Sequence, residues 1–335
     1  MTISKIVLAI FALLLAEPTA FAAGHILKPA GKIGVAWDES KPAWMSFIAF
    51  SPDGKMVASD GPATPEDVSG ALTLWTFPGG RFVGRLSARP IALSPDWKYF
   101  ATGADVRTLD SDQPIPSTVE KSPANYAFVP RRQLVAVAPL THSGGAAIRI
   151  LELPGGRHAG AFGFAAPLSL AISPNGERLA AGHWDSVALW NIATQKRIGM
   201  LRGFGRYVDS IAFSPRGTLL AAGTDLGTLQ FWDVRRRKRL HTVHIDGLDV
   251  SQPAFSPDGK LVAVGVYGTG TVWLIDVRSG KIVDHAKISD IGCGSVAFSP
   301  DGRFLIAPST GGLVTWPYDQ GGTIRVFRVT SHGRG

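Results

Sequence analysis

One cysteine in 335 residues, Cys293, has no partner to bond with, so no internal disulfide holds this chain together. Beyond residue 16 there is no apolar run near the roughly 20 residues that a membrane-spanning helix needs, which excludes a transmembrane segment. Acidic residues are in deficit, with 26 Asp and Glu against 34 Lys and Arg, and the formal charge is +8. That surplus points to anionic partners such as acidic proteins, glycans or lipid head groups. No Cys-x-x-Cys-His is present for covalent haem, and no Gly-x-Ser-x-Gly turn for a serine nucleophile. The eight histidines are scattered; His241 and His244, three apart on a strand, would point to opposite faces. Asp110 and Asp112 form an acidic pair too short to define a calcium loop. No cofactor or metal is expected, and Cys293 is expected to be a small buried core residue.

The first residues read as a leader. Lys5 precedes an apolar run over 6–16, Glu17-Pro18 breaks it, and Ala20-Phe21-Ala22 offers a small-residue cleavage site. This is the pattern of a secretory signal peptide over 1–22, with cleavage near Ala22 and a mature chain of 23–335. No cysteine stands at the cleavage site to carry a lipid. The expected location is therefore the periplasm or the extracellular space, where nucleic acid is not an expected partner.

What the chain has in abundance is repetition. Ala49-Phe50-Ser51-Pro52-Asp53-Gly54 recurs as Ala212-Phe213-Ser214-Pro215-Arg216-Gly217, Ala254-Phe255-Ser256-Pro257-Asp258-Gly259 and Ala297-Phe298-Ser299-Pro300-Asp301-Gly302. Looser copies stand at Ser94-Pro95-Asp96-Trp97 and Ser173-Pro174-Asn175-Gly176, and a worn one at Val129-Pro130-Arg131-Arg132. The seven anchor positions are spaced by about 41 residues, within the range of propeller blades. Within each copy Pro presets φ for a tight turn and Gly accepts positive φ. An apolar strand follows, then a third strand ending in an aromatic and often an acid, as in Phe231-Trp232-Asp233.

The Ser-Pro-Asp-Gly turn with Trp-Asp about 18 residues downstream resembles the WD40-repeat family, here in an exported, bacterial-type chain. The resemblance implies a single all-β domain over 23–335: a seven-bladed propeller of four-stranded antiparallel blades. Residues 27–36 resemble the fourth-strand segment 77–86, and residues 32–36 are expected to close the last blade against residues 323–330, removing the open edges of the ring. The family's Gly-His pair is missing; Gly203-Phe204 stands in its place, so the buried network through Asp225 and Trp232 is replaced by apolar packing.

Function is then a matter of surfaces. Turns between first and second strands, and between third and fourth, share one face; it is basic and includes Arg235, Arg236, Arg237, Lys238 and Arg239. Such a face suits contact with an anionic surface. Longer loops on the other face carry Trp37, Trp44, Trp184, Tyr267, Trp316 and Tyr318 beside Asp38, Glu39, Asp60, Glu66 and Asp67. Aromatics beside acids suit a protein or peptide hot spot. Channel-mouth positions read Ser46, Arg89, Ala124, Leu168, Asp209, Ser251 and Gly294, too unlike for a symmetric metal ring. The expected function is a monomeric, non-catalytic protein-binding scaffold; the alternative is an enzyme or redox partner with its site in the central channel.

Overall fold

The computed structural model describes residues 26–33, 45–60, 71–118, 123–140, 148–164, 166–289, 292–308 and 323–330. Each repeat starts from its turn. Ser51 Oγ donates to Asp53 Oδ1 (2.6 Å), accepts from the Met56 amide (2.9 Å), and Gly54 sits at φ +69°. A residue with a Cβ is strained there, which is why Gly closes the turn. The strand after each turn is apolar on both faces because it lies between two other sheets: Val57, Ala58, Leu220, Ala221, Val262 and Ala263 are all fully buried.

Among the described residues the strands form six sheets, so the structure has six blades and corrects the expected seven. The cause lies in the middle of the chain. Strand Arg197–Phe213 runs 17 residues without a break. Its first half pairs with Arg178–Asn191 and its second half with Leu219–Thr224. The outer strand of one repeat thus becomes the inner strand of the next, and two repeats merge into one six-stranded sheet. Gly203 (φ +93°) and Gly205 (φ +75°) let the strand change direction while Trp184 and Tyr207 keep it paired. The blades are also not uniformly four-stranded. Ala92–Leu93, Tyr99–Ala101 and Val106–Thr108 form a sheet of three; the return keeps only an isolated bridge of Arg107 with Pro114 before Pro116–Thr118 turns into a 3-10 helix. Thr118 Oγ1 instead accepts from the Val106 amide (2.9 Å) and caps that edge.

The sheets are held in a circle by contacts between neighbours. A Cβ built on Gly217 would lie 3.7 Å from Pro174, on Gly259 3.6 Å from Pro215, and on Gly302 3.5 Å from Pro257. On Gly54 it would lie 3.4 Å from Pro300, so the first turn leans on the last. In three repeats a serine four residues before the anchor ties the inner strand to the next: Ser169 Oγ donates to Val208 O (2.8 Å), Ser210 Oγ to Val250 O (2.8 Å) and Ser295 Oγ to Ser46 O (2.9 Å). Phe204 lies against Trp232 with centroids 5.3 Å apart, Trp232 Nε1 donates to Gln230 Oε1 (3.1 Å), and Asp225 pairs with Arg206. Ring packing thus fills the place of the missing Gly-His network.

The N-terminal strand is Leu27–Ile33, antiparallel to Ile324–Val329, with Leu27 opposite Val329 and Ile33 opposite Ile324. The expected strand over 32–36 begins too late: pairing starts five residues earlier, a bulge between Pro29 and Gly31 absorbs the offset, and residues 34–36 lie outside the described residues. The Leu27 amide donates to Asp284 Oδ2 (2.7 Å), fastening this strand to the adjacent sheet as well.

Two stability measurements check this account. Phe204→Ala should lose about 3–5 kcal/mol in denaturant unfolding, because it opens a cavity over Trp232. Asp284→Ala should cost about 1–3 kcal/mol by leaving the Leu27 amide buried without an acceptor, whereas Asp284→Asn keeps an acceptor oxygen and most of the stability.

Candidate functional site

Antiparallel strands put the loops of every repeat at alternate ends of its sheet, so the molecule has a turn end, bearing the Ser-Pro turns, and a loop end. Exposed large apolar side chains fall into two groups. Phe82, Val83, Ile198, Leu240 and Ile282 lie on the fourth-strand stretch of their own repeats; the rest, Ile91, Leu140, Leu168, Trp184, Tyr207, Leu226 and Leu248, all lie at the loop end. Trp184 and Tyr207 are 49% and 44% exposed and meet edge to face, centroids 4.5 Å apart and planes at 81°. The contact is fixed from below. Trp184 and Tyr207 are register partners, and Asp185 accepts from the Gly205 amide at 2.5 Å. Leu248 is in turn the register partner of Tyr267, and Arg206 holds Asp225 beside Leu226 (2.7 Å).

Of the aromatics expected here, Trp184 and Tyr267 are brought to this end. Trp37, Trp44, Trp316 and Tyr318 lie outside the described residues, as do Asp38, Glu39, Glu66 and Asp67. Tyr207, Leu226 and Leu248 were missed by sequence reasoning. A signal was present: Leu226 and Leu248 adjoin Gly227 and Gly247, and Tyr207 follows Gly205 by two residues.

Asp60 is not the loop acid that the sequence suggested. It is fully buried and accepts from Ser46 N (2.8 Å), Ser46 Oγ (2.7 Å) and Phe47 N (2.9 Å), with Arg89 Nε at 3.2 Å. Burial pushes its carboxyl pKa up despite those donors. Asp209 stands at the bulge between Val208 and Ser210. Its pKa is raised to about 7, first by burial and then by the charges of Asp249 and Asp225. Its Oδ1 is buried without a hydrogen-bond partner. Burial also raises Tyr267, whose phenol feels Cys293, Asp60 and Arg89. Burial raises the Cys293 thiol, leaving it un-ionised and a poor nucleophile. Among the described residues no three His, Cys, Asp or Glu side chains converge as a metal site requires.

At the turn end the run over 235–239 is exposed, but its members differ. Arg236 pairs with Asp233 (3.1 Å), Arg237 donates to Ile198 O (3.1 Å) and Arg239 to Gly203 O (3.2 Å). The last two lie along the neighbouring strand rather than standing free.

Asp209 makes a pH prediction. With the folded pKa above the unfolded 3.8, the native state keeps a proton that the unfolded chain has released, so stability falls as pH climbs from about 4 to about 7. Asp209→Asn should melt like wild type at pH 4 and above it at pH 8; equal melting at both values would contradict the assignment.

Residues 195–233 match the family model of the WD domain, G-beta repeat. No curated protein matches the chain. The matched stretch contains the Ser214-Pro215-Arg216-Gly217 turn and ends on Trp232-Asp233, so it is one copy of the recurring unit. WD40 propellers are commonly protein-interaction scaffolds and typically non-catalytic. The chain is an all-β propeller that carries a WD40 repeat at residues 195–233.

Proposed function

We propose that this chain is a non-catalytic, monomeric protein-binding scaffold that works in the periplasm or outside the cell and docks its partner on the loop end. One observation carries the reading: apart from those on the fourth-strand stretch of each repeat, every exposed large apolar side chain among the described residues lies at that end. Solvent-exposed Trp and Tyr on a rigid scaffold supply large contact area at low entropic cost, and they dominate binding energy where they occur. Asp185, Asp225 and Asp249 around them make a polar rim. The location rests on the charged, apolar and small-residue start of the sequence, and N-terminal sequencing of the protein from a periplasmic fraction tests it: residue 23 at the terminus is the expected result.

The docking end is tested by site-specific crosslinking. A photoreactive residue at Tyr207, Leu226 or Leu248 should give one discrete adduct in periplasmic extract, while one at Leu240 on an outer strand should give none. Trp184→Ala should weaken the same complex by about 2 kcal/mol or more, about thirtyfold in Kd. Adducts spread evenly over all four positions, or none, would overturn the reading.

A further inference from the structure

The turn end carries a charge asymmetry that goes beyond the loop-end reading. Two residues after each anchor, four repeats place a carboxylate: Asp53, Asp96, Asp258 and Asp301. Each accepts from its own turn serine at 2.5–2.7 Å. Three of them also stand against the cation two residues on, Lys98 (3.9 Å), Lys260 (3.3 Å) and Arg303 (4.0 Å). Three consecutive repeats have lost that carboxylate and carry Arg131, Asn175 and Arg216 instead. The next turn of the middle repeat has Asn191 where its neighbours have Glu152 and Asp233.

The loss is contiguous in space. Gly217 rests on Pro174, and Arg178 Nη1 reaches across to Gly217 O (3.2 Å). Arg237 reaches Ile198 O on the preceding repeat, beside Lys196 and Arg197. Two adjacent repeats therefore gather Arg178, Lys196, Arg197, Arg216 and the 235–239 run, nine cations, against Glu177 and Asp233. The surplus of seven here nearly equals the +8 of the whole chain. Seven of the nine are arginines, whose fork matches phosphate oxygens in pairs. Two exposed aliphatic side chains, Ile198 and Leu240, adjoin Arg197 and Arg239 on the outer strands. A soluble polyanion gives them nothing to bury in. A bilayer interface takes both the charges and the aliphatic side chains.

We infer that this sector of the turn end docks on an anionic lipid surface, leaving the loop end turned away from the membrane toward its partner. Phosphodiester head groups are the ligand chemistry, and Lys196, Arg197, Arg216, Arg235 and Lys238 are the contacts least committed to the protein's own backbone.

The test is vesicle co-sedimentation of the wild-type protein with phosphatidylcholine vesicles, with and without phosphatidylglycerol, and a heparin column as the glycan control. Binding to the phosphatidylglycerol vesicles alone, released by salt, is expected, since exposed charges are screened over about 10 Å at 0.1 M. Asn175→Asp with Arg216→Asp restores the carboxylate of the sibling turns, where Asp258 bonds Ser256, so the melting temperature should hold. Affinity should fall about fivefold per unit of charge, more than a hundredfold for the pair. Arg235→Ser with Lys238→Ser should weaken binding about twenty-five-fold. The inference is overturned by equal binding to phosphatidylcholine, by heparin retention without vesicle binding, by no binding at low salt, or by variants that bind like wild type. None of these outcomes touches the crosslinks at Tyr207, Leu226 and Leu248, which report on the other face.

Discussion

The pairing of Leu27–Ile33 with Ile324–Val329 joins residues some 300 positions apart, and the other contacts of the ring depend on it. Blade contacts elsewhere are between neighbours in sequence: a turn glycine against the preceding turn's proline, a serine hydroxyl against the next inner strand. Contacts of that kind make an open array as readily as a ring. What distinguishes the ring is that the last sheet is completed by the first strand, and that Leu27 is also held by Asp284 from the sheet before it. With that edge paired, Gly54 can settle on Pro300 and Ser295 can reach Ser46. An unpaired Ile324–Val329 would instead be an apolar edge open to other chains.

A closed ring of alternating strands has two ends, and this one separates its surface chemistry between them. The exposed rings of Trp184 and Tyr207 stand at the loop end with Leu226 and Leu248, supported by the Trp184–Tyr207 pairing and the Asp185–Gly205 bond. Cations collect at the turn end, where the turn carboxylates have been lost from three successive repeats. The core beneath is indifferent to either. Buried alanines, valines and leucines pack sheet on sheet, and Phe204 on Trp232 replaces the polar network that the family uses. Surface residues are thus free to vary while the scaffold stays rigid.

The repeat and its turn were legible in the sequence because the turn is local chemistry: Pro, Asp and Gly act within four residues. Strand continuity was not, because it is decided by pairing. Gly203-Phe204 marks the start of a new repeat in the sequence, yet Trp184 opposite Tyr207 keeps the strand unbroken and fuses two repeats into one sheet. The second sheet's missing fourth strand was written in Pro116, where the return becomes a 3-10 turn, but an average repeat length concealed it. Among site residues, aromatic type found Trp184 and Tyr267, whereas Asp60 looked like a surface acid and is a buried acceptor for Ser46 and Phe47. Burial of a carboxylate cannot be read from its loop; it depends on which amides converge there.

Native-state hydrogen exchange tests the closure most directly. If the ring is held by the pairing of its two end strands, amides of Leu27–Ile33 and Ile324–Val329 exchange through the same global opening as those of Leu219–Thr224, with the same sensitivity to denaturant. Exchange of the Leu27–Ile33 amides at loop rates, while Leu219–Thr224 stays protected, would show a ring that stands without its closing strand.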